Sequence, residues 1–182
     1  MDAFNILLEE DIFRTNPQAL EKLTGWVNAR DAARQPAAMY AMGSLLLAKD
    51  DLAGAVKMAE DGLSKYPQSL PVQTLSLNTI TTLLDKNRVE DAERLISKYP
   101  GTSPGLVFQQ GALAFRKGDY PLAQSLFREA ARRASEKTAE SALFNENLAA
   151  LNANDAAGAA ALVKEAAGSA QLREHILFEQ AH

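Results

Sequence analysis

Gly111–Ala130 reads GALAFRKGDYPLAQSLFREA. Apolar residues recur at intervals of three and four on both sides of a Gly118-Asp119 break, which predicts two helices joined by a tight turn. Small residues (Gly111, Ala123, Ala130) stand where the helices would touch, because helix axes close to about 8 Å only over small side chains.

The hairpin recurs along the chain. GSLLLAKDDLAGAVKMAEDGLSKYP aligns from Gly43 without a gap, ITTLLDKNRVEDAERLISKYP from Ile80, and NLAALNANDAAGAAALVKEA from Asn147. The turn column is Asp50, Asn87, Gly118 and Asn154, residue types that tolerate a left-handed backbone. Five positions on, every copy has alanine: Ala55, Ala92, Ala123 and Ala159, spaced 37, 31 and 36 residues apart. Then follow Ala59, Ile96, Phe127 and Val163, and after them Gly62, Tyr99, Ala130 and Ala166. Strand-type alternation is almost absent, so the chain reads as all-α with short connections.

These spacings lie near the period of about 34 residues of the tetratricopeptide repeat. With Gly43 and Gly111 at the first-helix contact, the alanine column, the Gly-Asp-Tyr turn of the third copy and Pro67 closing the first, the chain resembles a tetratricopeptide-repeat protein. The resemblance covers roughly residues 36–170. It departs from the pattern in three ways: no Trp or Tyr opens the first helix, Ile80 and Asn147 replace the contact glycine, and Pro100 shortens the second copy's later helix. It implies a right-handed α-α superhelix of four hairpins, about 36–72, 73–103, 104–139 and 140–169. Residues 1–35 read as a helical cap or degenerate repeat, with Asn16 as N-cap, Pro17 at the first helical position, and Leu20, Leu23, Trp26 and Val27 as the apolar side. Residues 170–182 read as a C-terminal capping helix resting on Leu172, Ile176 and Phe178. Such end helices shield the terminal apolar faces that a solenoid otherwise exposes.

The composition is 47% apolar, which argues against disorder, and the formal net charge of −4 with no long basic run argues against nucleic acid and anionic membrane. Cysteine is absent, which removes disulfides, thiolate metal sites and a thiol nucleophile. No apolar run approaches the roughly 18 residues of a membrane span. MDAFNILLEEDIF has Asp2 where a signal peptide carries a cation, so the expected location is cytoplasmic, or periplasmic if a leader has been removed. The two histidines, His175 and His182, form no metal-binding spacing. Glu9, Glu10, Asp11, Asp50, Asp51, Glu90 and Asp91 sit at expected helix starts or exposed turns, and Glu90 and Asp91 lie in a first turn, where negative charge meets the positive end of the helix dipole. There is no phosphate loop and no nucleophile elbow. The expectation is a protein without catalytic site, metal or cofactor.

In the resemblance, first helices line a concave groove that binds extended peptides or helices. The positions ten and three before each turn residue are Tyr40, Leu77, Phe108 and Phe144, then Leu47, Leu84, Phe115 and Leu151. Members of a pair are seven apart and share a helix face. Between them lie Ser44, Thr81, Ala112 and Leu148, and Arg116 is the one groove-side cation expected. The predicted groove is apolar and suits a hydrophobic or helical segment of a partner protein. The same positions border neighbouring helices and equally suit core, and an end helix or a dimer mate could fill the groove. The carboxylate clamp of chaperone-type relatives does not fit, because Tyr40 and Ser44 stand where it needs Lys and Asn. Arg116, Lys117, Arg128, Arg132, Arg133 and Lys137 form a local basic patch, read either as an acidic-partner surface or as a solvated helix back. The alanine-rich, cysteine-free style resembles bacterial repeat proteins that act as assembly factors or chaperones of larger complexes. The alternative is a self-associating module, a homodimer or a piece of a larger repeat array.

Overall fold

The computed structural model describes residues 17–29, 31, 33–166 and 169–180. It is all-α, with ten helices and no strand among the described residues. In chain order these are α1 Pro17–Asn28, α2 Gln35–Ala48, α3 Leu52–Lys65, α4 Leu70–Asp85 and α5 Val89–Lys98. Then come α6 Pro104–Arg116, α7 Tyr120–Arg133, α8 Glu136–Asn152, α9 Ala156–Glu165 and α10 Ala170–Gln180. The segment 2–13, Asn16 and His182 lie outside the described residues.

The turn column behaves as its residue types predict. Asp50, Asn87, Gly118 and Asn154 all take positive φ, at 62°, 57°, 78° and 57°. In three of the four turns this reversal closes the first helix with paired bonds to its last carbonyls. Asp51 N–H reaches the Leu46 carbonyl at 2.9 Å, Asp119 reaches Ala114 at 3.0 Å, and Asp155 reaches Ala150 at 2.9 Å. The same aspartates then open the next helix. Their carboxylates accept from the backbone N–H of Gly54 (2.9 Å), Leu122 (3.2 Å) and Gly158 (2.9 Å). In the second copy Arg88 takes that position and pairs instead with Asp91.

The described residues pack into two compact bodies: those up to Lys86 together with Ser97–Pro100, and Asn87–Ile96 together with those from Gly101 onward. In the first, α1 packs on α2, and α2, α3 and α4 pack on one another. Leu23 of α1 is buried with Ala38, Ala41 and Leu45 of α2, and Leu20, Trp26 and Val27 flank them. Gly43 admits Leu75 of α4 so closely that an added Cβ would lie 2.3 Å from Leu75 Cδ1. In the second body α7 packs on both α6 and α8, while α8, α9 and α10 pack together. There a Cβ at Gly111 would lie 2.9 Å from the Phe127 ring. The contact glycines thus make the close approaches expected of them, against different neighbours in the two bodies.

The small-residue column is core. Ala55, Ala92 and Ala123 have no exposed surface and Ala159 has 3%. Asn147, in the contact column, is also fully buried. Its Oδ1 accepts a 2.8 Å bond from Gln180 Nε2, which also reaches the Ala159 carbonyl at 2.7 Å. One side chain of α10 therefore ties α8 and α9 together. Leu172 and Ile176 of α10 are buried against Ala166, next to Leu143, Phe144 and Val163.

Candidate interaction surface

In the first body the candidate residues come from α2 and α4, which are in contact. Tyr40, Ser44 and Leu47 on α2 and Leu77 on α4 are half-buried, and Thr81 is exposed. Leu84 is 3% exposed and has almost no face to offer a ligand. The helices that carry this row have a shared chemistry. No Asp, Glu, Lys, Arg or His occurs from Gln35 to Ala48 or from Leu70 to Leu84. On α4 the hydroxyls of Thr74, Thr79, Thr81 and Thr82 each donate to the carbonyl four residues back, at 2.8–3.0 Å. This satisfies polar groups locally and leaves an uncharged helix surface.

In the second body Phe108, Ala112 and Phe115 form a stripe along α6 and are half-buried. They pack on the cluster of Ala114, Ala123, Phe127 and Ala149. Phe108 meets Phe127 with ring centroids 5.3 Å apart, and Phe115 meets Tyr120 edge-on, also at 5.3 Å. Arg116 is exposed at the end of the stripe. Leu148 and Leu151 on α8 are half-buried too. Phe144 packs beside Leu172 and Ile176 of α10, with the His175 ring edge-on at 6.3 Å. The last aromatic of the row is thus used by the C-terminal helix.

Lys117, Arg128 and Arg133 of the basic patch are paired within their own body. Lys117 Nζ lies 2.6 Å from Glu93, and Arg133 pairs with Glu129 at 2.7 Å and also donates to the Thr102 carbonyl. Arg128 sets both Nε (2.7 Å) and Nη2 (2.5 Å) on Glu146 Oε1, whose side chain has no solvent exposure. Arg132 is exposed, and the side chain of Lys137 lies outside the described residues. This charge matching favours the solvated-back reading over an acidic-partner surface.

Two carboxylates sit below their ordinary value of 3.8. Burial alone would raise Asp91, but hydrogen bonds and charge from Arg88 and Arg94 outweigh it and lower its pKa. Asp155 is lowered first by the Gly158 N–H and then by the Gln124 amide, against a smaller desolvation cost, with the Arg128 charge adding to the fall. Both serve capping and pairing at helix starts. Among the described residues no group of three His, Asp or Glu converges as a metal site. No helix among them is long and apolar enough to cross a membrane.

No family model matches the chain, and no curated protein matches it significantly. Among solved structures it is similar to the crystal structure of BtubC (BKLC) from P. vanneervenii. The TM-score is 0.69 at 14% identity, over 98% of this chain and 79% of that one. At that identity the likeness is one of fold.

Residue spacing selected the candidate row without regard to its electrical character. The uncharged runs of the first two first helices, Gln35–Ala48 and Leu70–Leu84, were open to view in the sequence, as a contrast with α3 and α5. Those carry Lys57, Glu60, Asp61 and Lys65, and Glu90, Asp91, Glu93, Arg94 and Lys98. The Arg128–Glu146 pair had a fainter signal: a lone carboxylate within the apolar run ALFNENLAAL of α8.

Proposed function

We propose that this chain is a non-catalytic scaffold. Four tetratricopeptide-like hairpins stack as a right-handed superhelix, with capping helices at its ends, and a concave surface of first helices binds a peptide or helix of a partner protein. The observation that carries this reading is the repeated first-helix row. Tyr40, Leu47, Leu77, Phe108, Phe115 and Leu151 are neither sealed into the core nor free in solvent. Half-buried apolar side chains along successive helices are the arrangement that a helix-in-groove or extended ligand covers. The uncharged character of α2 and of α4 from Leu70 to Leu84 supports the same reading, because a ligand face buried there would meet no ion to desolvate. The style of the chain suits an assembly factor or chaperone of a larger complex.

The test is affinity capture with wild type and Phe108→Glu, after circular dichroism has shown equal helix content. A protein that binds wild type and is lost from the variant supports the reading. Equal capture by both overturns it.

A further inference from the structure

The first body carries an apolar patch that the first-helix row does not use. The link between α3 and α4 and the start of α2 enclose an open cavity of about 460 Å3, walled by Pro36, Ala37, Tyr66, Pro67 and Pro71, with Ala33 at its edge. The polar end of Tyr66 is consumed internally. Its hydroxyl donates to Gln35 Oε1, and Gln35 Nε2 in turn donates to the Val27 carbonyl at 2.5 Å. The Tyr66 ring is left as a wall between prolines. Next to this hole stands a knob. Leu70, the first residue of α4, is 73% exposed, more than any other large apolar side chain among the described residues. It follows the lining residue Ser69 and precedes the lining residue Pro71, yet does not itself line the cavity.

A knob beside a hole on one surface is complementary to its own copy. A two-fold axis sets the same patch on both sides of a contact, so residue i meets j and j meets i. Such a contact also sets the charge of the patch against itself, and a patch of either sign repels its twin. Here none of the residues lining the cavity carries a charge, and the flanking cations are Lys65 and Arg34. From Tyr66 to Leu84 the chain has no Asp, Glu, Lys, Arg or His, although the whole chain carries a net charge of −4. The nearby Arg34 is matched by Asp31 at 3.7 Å. A charged segment of another protein would find no counter-ion in the cavity, whereas a second neutral patch loses nothing by entering. We propose that this surface is the contact of a two-fold symmetric dimer, with Leu70 of each copy seated in the proline and tyrosine cavity of the other.

The proposal is independent of the first-helix row and is tested by sedimentation velocity of the full chain over concentrations on the order of 1–200 µM. Wild type should shift from monomer to dimer within that range. Leu70→Glu should weaken the association about tenfold or more, because it places a charge in an apolar cavity. Ala33→Trp, which fills the cavity from its exposed edge, should do the same. Leu122→Glu, at a leucine 48% exposed in the other body, should leave the dimer intact. Phe108→Glu should also leave it intact. A chain that stays monomeric throughout overturns the proposal, since the cavity then takes another occupant or none. A dimer indifferent to Leu70→Glu or to Ala33→Trp overturns it equally, as does one that Leu122→Glu weakens as much as Leu70→Glu does.

Discussion

At the scale of single residues, backbone sign and side-chain volume carry most of the specification. Asn87 sits at φ 57° between α4 and α5, a conformation that crowds any Cβ and repels a β-branched one most. Asn87→Val should therefore cost about 1–2 kcal/mol in urea denaturation, while Asn87→Gly should be close to neutral. Ala123 has no exposed surface and lies in the cluster with Ala114, Phe127 and Ala149. Ala123→Leu should cost about 1–3 kcal/mol by forcing helices apart, and a variant that melts like wild type would refute the assigned register. Asp155 links pH to stability. Its folded pKa lies below the ordinary 3.8, so its contribution is complete above that value and is lost as pH falls through the folded value. Asp155→Asn should flatten the acid limb of the stability-against-pH curve below about pH 4 without abolishing it, because Asp91 contributes with the same sign. The turn residue Asn87 and the alanine column were legible in advance because each repeats one residue type at one position of the pattern, whereas the bond from Gln124 to Asp155 spans 31 residues and was not.

At the scale of elements, the device that recurs is a joint: a left-handed residue followed by aspartate, which ends one helix and caps the next. Asp119→Ala removes the acceptor for Leu122 N–H and should cost about 1 kcal/mol, within the range of 0.5–2 measured for N-caps, by thermal melting. The corresponding change at Arg88 should cost less than that, because no cap bond is made there and the Arg88–Asp91 pair is exposed on its arginine side. The spacing of turn residues located these joints. It was blunter at the helix starts: the first helices of the second and fourth copies begin at Leu70 and Glu136, where the alignment put the copies near Gln73 and Glu140. Ser69 and Ser135 precede them in extended backbone without a side-chain cap bond.

At the scale of the molecule, long-range polar contacts hold the helices of the second body in place. Glu146 of α8 is fully buried and receives two bonds from Arg128 of α7. Arg128→Ala takes the guanidinium away from a carboxylate that water cannot reach, and should cost about 3–5 kcal/mol in chemical denaturation, far more than Lys117→Ala at the exposed Glu93 pair. By itself the sequence determined the helical periodicity, the four turn positions, the alanine column and the placement of the candidate row on first helices. Each of those follows from interactions within a few residues or from a pattern repeated along the chain. Only the tertiary structure decided that Phe144 is used by α10, that Gln180 ties Asn147 to Ala159, and that a buried carboxylate meets part of the basic patch. It alone placed Leu70 beside a cavity made from two separate stretches of chain. Those outcomes join residues roughly 20 to 35 positions apart, whose approach depends on how whole helices pack and is written in no local motif.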